Sequence, residues 1–231
     1  MQASETAPAK PGFHLLGGLP REFFSQLMAG ERTLRLRAGE ILFERGDAGD
    51  GCYWLRRGIL SVCVASAKGE QRILAILGPG AIVGELAMLD GLPRSAAIQA
   101  LRDSELTFVS RAAFSDMLNR HPELYVDIAR TLAARLRQTD EEMVATSFLP
   151  VRARVARALL QFARHLGEEA RPGRILIRHS ITQSDLAAMA GVARESVSRT
   201  LRDWQRQKLV EGSARSGYIV HKTRLEAAAA E

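Results

Sequence analysis

A glutamate and an arginine lie nine residues apart in residues 84–97, which read GELAMLDGLPRSAA. A short turn of helix in this segment would direct backbone N–H groups and the side chain of Arg94 at one small anion. The carboxylate of Glu85 is suited to accept hydrogen bonds from a sugar hydroxyl. We therefore interpret the segment as a candidate ligand site, with a structural ion pair between Glu85 and Arg94 as the alternative.

A second chemically informative segment begins at Thr182. Ala187 is small enough for two helices to cross, Gly191 supplies a turn, and Val197 provides an apolar anchor, which is the spacing of a helix-turn-helix. Thr182 and Asp185 form a predicted capping box at the start of the first helix. An ordinary helical hairpin can share this spacing and stays open as the alternative.

The second of these helices begins with Arg194 and Glu195, and Arg199 follows about one turn later. Arginine pairs with guanine O6 and N7, and glutamate accepts from cytosine N4, so these side chains suit the major groove of DNA. Residues 148–231 hold 15 Lys/Arg and 8 Asp/Glu, a net charge of +7 in a chain whose total is +6. This localised charge indicates a polyanionic partner. The alternative is a solvated basic face that serves solubility alone.

The chain ahead of these helices shows two different periodicities. From residue 31 to about residue 111, short β runs are separated by glycines, which predicts a small antiparallel barrel or roll. A short amphipathic helix is predicted ahead of it, over residues 20–29. Residues 122–147 contain no glycine and no internal proline, so we predict one helix of about seven turns.

The predicted long helix carries a heptad seam suited to a parallel partner helix. Its members are Tyr125, Ala129, Leu132, Leu136, Thr139 and Met143. The seam favours a homodimer, and the alternative is that the same stripe packs on the β-roll of its own chain.

Pro150 ends this helical stretch and marks a predicted domain boundary. After it we predict a helix over residues 151–165, a Gly/Glu/Pro turn, a strand over residues 174–178, two helices and a terminal hairpin, which is a winged-helix arrangement. The predicted domains are a β-roll at 13–121, a dimerisation helix and hinge at 122–149, and a winged helix-turn-helix at 150–226. Residues 1–12 and 227–231 carry no periodic signal and are predicted to be flexible.

With 231 residues, of which 46% are hydrophobic, the chain fits two modest domains. Cys52 and Cys63 are too few for a disulfide scaffold, and we predict both to be buried. The sequence has neither an apolar run long enough for a membrane span nor a signal-peptide pattern, so we expect a cytoplasmic protein. It shows no Ser/His/Asp set, P-loop or metal-ligand spacing, so we do not expect an enzyme. The rival class is an adaptor or enzyme subunit gated by a ligand.

Residues 84–97 resemble the phosphate-binding cassette of the bacterial transcription factor superfamily that includes the cyclic AMP receptor protein and the fumarate-nitrate reduction regulator. The resemblance spans about residues 13–224. It implies an α+β fold with an N-terminal cyclic-nucleotide-binding β-roll (a double-stranded β-helix or jelly roll), a long dimerisation helix and a C-terminal winged helix-turn-helix. It also implies that Glu85 holds the ribose 2′-OH and that Arg94 and Ser95 bind the cyclic phosphate. Close backbone approach is implied at Gly84, Leu86 and Ala87.

The resemblance extends to the DNA-reading helix and implies half-sites like TGTGA in an inverted repeat, with double-stranded DNA and RNA polymerase as partners. The implied DNA-contacting residues are Thr182, Gln183, Arg194, Glu195, Ser196 and Arg199. Two positions depart from the family pattern. Ala193 stands where a capping serine is usual, and Thr200 stands where an apolar core residue is usual.

The effector that the resemblance implies is cyclic AMP. Thr139 lies where the family contacts adenine across the dimer, but Asp140 replaces a serine that helps to read the base, and the Glu-to-Arg spacing is one residue shorter than in the bacterial prototype. Cyclic di-GMP, another effector or ligand-independent regulation therefore stay open. We expect no metal, haem or iron–sulfur cluster, because there is no N-terminal cysteine cluster and His14 is the only histidine before His121.

Overall fold

The computed structural model describes residues 32–178 and 181–230. Residues 1–12, which are predicted to be flexible, the helix predicted at residues 20–29, and His14 lie outside the described residues. The first eight strands are β1 (Thr33–Leu36), β2 (Ile41–Phe43), β3 (Gly51–Arg57), β4 (Leu60–Ala65), β5 (Gln71–Leu77), β6 (Ile82–Val83), β7 (Ala97–Ala100) and β8 (Ser104–Ser110). They form two antiparallel sheets, in the orders β1-β8-β3-β6 and β2-β7-β4-β5.

These two sheets enclose an apolar core. Leu55 and Leu106 from one sheet and Leu60 from the other are fully buried in the same cluster. When the inner faces of the two sheets pack together, their apolar side chains are removed from water. This burial is the main favourable contribution to the stability of a roll made of short strands. The predicted antiparallel roll is therefore confirmed. Cys52 and Cys63 are buried free thiols, as predicted, and burial raises the pKa of Cys63.

Among the described residues, this half of the chain has three helices: α1 (Glu85–Asp90), α2 (Arg111–Arg120) and α3 (Leu124–Phe148). The 25 residues of α3 give it a length of about 37 Å. Leu124 and Ile128 bury the start of α3 against Phe114 and Met117 of α2 and the β-roll. The helix ends just before Pro150, whose ring is incompatible with continuation of a helix. The uninterrupted long helix predicted from the sequence is confirmed.

The C-terminal half contains α4 (Val151–Leu166), β9 (Gly167–Arg171), β10 (Arg174–Ile177), α5 (Gln183–Ala190), α6 (Arg194–Arg206), β11 (Val210–Ser213), β12 (Gly217–His221) and α7 (Lys222–Ala228). Its four strands form one antiparallel sheet in the order β11-β12-β10-β9. The predicted hairpin at the end of the domain is β11 paired with β12. This is the predicted winged-helix arrangement.

Two details of the prediction are wrong in this half. Most of the stretch predicted as a turn after residue 165 is strand β9, and only Pro172 and Gly173 form a turn. Strand β9 pairs with β10 although its own residues do not alternate between apolar and polar. Residues 227 and 228, predicted to be flexible, complete α7, because Leu225 and Ala228 are buried in the core that α4 also lines. An alanine-rich end gives no polar contrast by which that buried face could be recognised.

The two halves of the chain also share a core. Ile73 and Ile76 of β5 lie in one apolar cluster with Leu159 and Phe162 of α4. Arg102, which follows β7, donates from Nη2 to the carbonyl of Leu166 at 3.3 Å. The helix-turn-helix is therefore held against the β4–β5 side of the roll. Within the described ranges, no helix has the length and apolar character needed to cross a membrane.

Candidate ligand site and nucleic-acid interface

The candidate ligand site begins at Gly84, which precedes α1. Gly84 has a φ of 82°, a left-handed conformation that favours glycine. A side chain here would also overlap the guanidinium of Arg94, so the close approach of the two residues requires glycine. Glu85 follows as the first residue of α1 and is only 2% exposed.

Arg94 is a buried cation held by several contacts. Its Nη1 donates to the carbonyls of Gly51 and Gly84 at 2.8 and 2.7 Å, and its Nη2 lies 3.8 Å from Asp50 Oδ1. The guanidinium lies 4.3 Å from the centroid of the Phe43 ring. Within the described part of the chain, Nε of Arg94 has no hydrogen-bond partner. A fixed guanidinium with an unused donor fits an anionic group such as a phosphate.

Glu85 forms an ion pair with Arg135 of α3. The side chain of Glu85 is 3% exposed and that of Arg135 is 24% exposed, so the pair is largely shielded from water. Because Glu85 pairs with Arg135 and Arg94 pairs with Asp50, the alternative of a Glu85–Arg94 ion pair is wrong. The Glu85–Arg135 pair connects the candidate ligand site directly to the long helix.

One cavity of about 40 Å³ lies at this site. Its lining includes every residue that the sequence analysis assigned to the cassette, namely Gly84, Glu85, Leu86, Ala87, Arg94 and Ser95, together with Arg135. Thr139 and Asp140, the other two residues predicted to contact the ligand, do not line this cavity. Thr139 instead donates its hydroxyl to the carbonyl of Arg135 at 3.0 Å, and Thr139 and Asp140 are both exposed.

Sequence reasoning missed two arginines at this site. Arg135 lies one turn before Thr139, but the neighbouring Arg137 has the same residue type, so no pattern separates them. Arg111, the first residue of α2, donates from Nη2 to the carbonyls of Gly49 and Ala87 at 2.9 and 2.7 Å. It therefore connects the cassette helix to the loop ahead of β3, a contact that depends on residues far apart in the chain.

The helix-turn-helix forms as its spacing predicts. Thr182 Oγ1 accepts from the backbone N–H of Asp185 at 3.0 Å, and the Asp185 carboxylate accepts from the backbone N–H of Thr182 at 2.8 Å. These two bonds confirm the capping box. Gly191 has a φ of 62° and ends α5, while Ala187 and Val197 are buried where α5 and α6 meet. A helix-turn-helix therefore accounts for the spacing, and the alternative of an ordinary helical hairpin is not required.

Arg194, Glu195 and Arg199 are exposed on the first half of α6. Of the other predicted DNA-contacting residues, Thr182 is exposed, whereas Gln183 and Ser196 are half-buried. The two departures from the family pattern have clear local outcomes. Ala193 gives α6 no side-chain cap, and Thr200 is buried with its hydroxyl donating to the carbonyl of Ser196 at 2.9 Å.

The heptad seam of α3 is largely solvent-exposed in this chain. Leu136 and Met143 are 63% and 62% exposed, and Tyr125, Ala129 and Thr139 are exposed as well. Leu132 alone among the six seam residues is half-buried and packs against the β-roll cluster. The alternative that the whole stripe packs on its own roll is therefore wrong. Seam contacts with a second chain stay a prediction.

Two family models match this chain. A model described as a cyclic nucleotide-binding domain matches residues 33–121, and one described as a Crp-like helix-turn-helix domain matches residues 153–228. The cyclic AMP receptor protein of Thermus thermophilus is 38% identical over 192 residues, which cover 83% of each chain. The CRP-like cAMP-activated global transcriptional regulator of Mycobacterium tuberculosis is 29% identical over 187 residues, covering 81% of this chain and 83% of its own.

Solved structures agree with these sequence similarities. The catabolite activator protein of Thermus thermophilus is 32% identical with a TM-score of 0.52, covering 93% of this chain and 97% of its own. The c-di-GMP responsive global regulator CLP of Xanthomonas campestris shares the fold, with a TM-score of 0.76 at 20% identity. The match covers 87% of this chain and 99% of that regulator's chain. The chain therefore belongs to the cyclic AMP receptor protein family of transcription regulators, with a cyclic nucleotide-binding domain followed by a Crp-like helix-turn-helix.

Proposed function

We propose that this protein is a homodimeric transcription regulator that binds cyclic AMP at the cassette and TGTGA-like inverted repeats through α6. The observation that carries the proposal is the single cavity in which the buried carboxylate of Glu85 and the buried guanidinium of Arg94 meet an arginine of the long helix. The names of the relatives support a regulator over the rival class of a ligand-gated adaptor or enzyme subunit.

The chemistry of the lining supports a cyclic nucleotide. The Glu85 carboxylate would accept from the ribose 2′-OH, while Arg94 Nε and Ser95 Oγ would donate to the cyclic phosphate. A cavity of about 40 Å³ is far below the roughly 300 Å³ of a small-molecule site. We infer that Arg135 moves when the ligand binds, because the ribose and Arg135 compete for the same carboxylate.

Displacement of Arg135 offers a physical route from the ligand to the DNA-binding domain. A ligand that changes the attachment of α3 shifts the population of arrangements of the two long helices in a dimer. The two recognition helices must lie one DNA turn apart, about 34 Å, so only some arrangements reach both half-sites. A coupling free energy of about 1–3 kcal/mol between the two sites is typical of such a scheme.

Thr139 and Asp140 would approach the base of the nucleotide from the paired helices of the dimer. RNA polymerase would be a further partner at the promoter.

Titration calorimetry of the full-length protein tests the ligand. We expect cyclic AMP to bind more tightly than cyclic GMP or cyclic di-GMP, and we expect the binding heat to disappear in Arg94→Ala. Arg120→Ala removes an exposed arginine outside the cassette and serves as the control. Preferential binding of cyclic di-GMP would favour that effector instead, which the altered base-reading position Asp140 makes the second candidate. No binding of any nucleotide would leave a regulator with another effector or none.

Fluorescence anisotropy with a labelled duplex tests DNA reading. We expect the TGTGA palindrome to bind more tightly than a scrambled duplex at physiological salt, and Arg199→Ala to remove most of that preference. Arg206→Ala, which removes an exposed arginine at the far end of α6, should keep it. Equal affinity for both duplexes, with the same salt dependence, would contradict the assignment of Arg194, Glu195 and Arg199.

A further inference from the structure

A second cavity lies between the two domains, away from the cassette. It has a volume of about 350 Å³ and lies where β5, the C-terminal half of α3, α4 and α5 meet. Its lining residues differ from those of the cassette cavity, and they include Thr139 and Met143 of the α3 seam. Its volume lies within the roughly 300–1,000 Å³ range of small-molecule sites.

Three arginines from both domains line this interdomain cavity. Arg72 comes from β5 of the roll, whereas Arg154 and Arg157 come from α4. Glu142 of α3 is the acidic residue in the lining. The salt bridges among the described residues include none of the three arginines, so the lining carries an excess of positive charge. Such charge at a partly desolvated site attracts an anion more strongly than it would in open solvent.

Two of these guanidinium groups are held in place by the helix-turn-helix. Arg154 donates from Nε to the carbonyl of Ala190 at 2.9 Å and from Nη2 to the carbonyl of Gly191. Arg72 lies against Gly191, where any side chain would overlap its guanidinium, and its Nη2 lies 3.5 Å from Thr146 Oγ1. Burial, and secondly the charge of Arg72, lower the pKa of Arg154. The two like charges therefore face each other across the domain boundary.

The rest of the lining combines apolar and uncharged polar side chains. Ile73 and Met189 provide apolar surface, and Thr146, Ser147 and Gln161 provide hydroxyl and amide groups. A mainly apolar cavity with a few convergent polar groups is the usual composition of a small-molecule site.

We propose that this interdomain cavity binds a small phosphorylated molecule, with Arg72 on one side and Arg154 and Arg157 on the other. Arginine suits this ligand because its planar guanidinium donates two parallel hydrogen bonds to phosphate oxygens. An anion between arginines of different domains removes their mutual repulsion. It therefore stabilises the arrangement in which the helix-turn-helix rests on the β-roll.

Inorganic pyrophosphate is a suitable probe, and calorimetry of the full-length protein is the measurement. We expect one saturable site per chain, weakened about tenfold or more in Arg157→Gln and in Arg72→Gln, because each removes charge-assisted hydrogen bonds. Arg120→Gln removes an equal charge at an exposed position on α2 and should bind pyrophosphate as the unchanged protein does. Pyrophosphate should also raise the thermal unfolding midpoint of the unchanged protein more than that of Arg157→Gln.

Three results would overturn the proposal. These are the absence of saturable binding, equal affinity in Arg157→Gln and the unchanged protein, and loss of binding in Arg94→Ala with retention in Arg157→Gln. The last would assign the binding to the cassette. Arg157 is exposed, so its replacement tests the site even if Arg72→Gln fails to fold. Circular dichroism establishes folding of each variant before titration.

Discussion

Arg111 positions the cassette without lining its cavity. Its Nη2 donates to carbonyls on both the cassette helix and the loop ahead of β3, while Gly49 of that loop lies against Ala87. We expect Arg111→Met to weaken cyclic nucleotide binding about tenfold, because two charge-assisted hydrogen bonds that hold the site together are lost. Titration calorimetry measures this change.

Two variants separate positioning from a general loss of stability. Arg111→Lys keeps a charged donor and should restore part of the affinity, whereas Arg120→Met, on the same helix, should leave the affinity unchanged. An Arg111→Met protein that binds nucleotide as tightly as the unchanged protein would show that the two bonds have no role in the site.

At the scale of the elements, the turn between α5 and α6 depends on Gly191 for two reasons. Its φ of 62° is unfavourable for other residues, and a side chain would overlap the guanidinium of Arg72. The left-handed conformation alone costs an alanine about 1–2 kcal/mol. We expect Gly191→Ala to destabilise the protein by more than this, measured as a lower midpoint of thermal unfolding.

Gly173, in the turn between β9 and β10, provides the matched control. Its φ is 72°, but no atom lies within 4 Å of the position that a Cβ would occupy. Gly173→Ala therefore carries the conformational cost without the overlap. If the two substitutions lower the midpoint equally, Arg72 does not constrain the turn.

At the scale of the whole molecule, the exposed seam of α3 predicts how two chains associate. We expect Leu136→Glu to raise the dimer dissociation constant about a hundredfold or more, because burial of a leucine contributes about 1.5–3 kcal/mol and two copies are lost. Analytical ultracentrifugation measures the constant. Ile41→Glu changes a residue of comparable exposure on β2 and should leave the dimer intact. Equal dissociation constants for Leu136→Glu and the unchanged protein would place the interface elsewhere.

The contact between the domains has its own pH dependence. His165 of α4 lies beside Gly78 of the roll, and burial, followed by the charge of Arg164, lowers its pKa below the usual 6.5. The folded state therefore binds fewer protons than the unfolded state, so its stability falls as the pH drops through about 6.5. Denaturant unfolding at pH 8 and at pH 5.5 measures the free energy of unfolding. We expect this free energy to fall less between the two pH values in His165→Gln than in the unchanged protein. An identical pH profile in that variant would mean that another group is responsible.

Features that depend on local order could be predicted from the amino-acid sequence. Glycine-separated β runs, an uninterrupted long helix and the spacing from Thr182 to Val197 each require only neighbouring residues to be specified. The cassette was found for the same reason, since its acid, arginine and glycine lie within a single segment. The strand β9 and the end of α7 were missed because pairing and packing, rather than periodicity, specify them.

Contacts between residues that are distant in the sequence could be identified only from the folded chain. Arg135 reaches Glu85 from 50 residues away, and Arg111 reaches Ala87 from 24 residues away, through side chains whose residue types are common everywhere in this basic chain. The interdomain cavity likewise exists because β5 and α4 share a core, which no single segment encodes. Long side chains select partners by proximity in the folded state, so their contacts cannot be predicted from spacing alone.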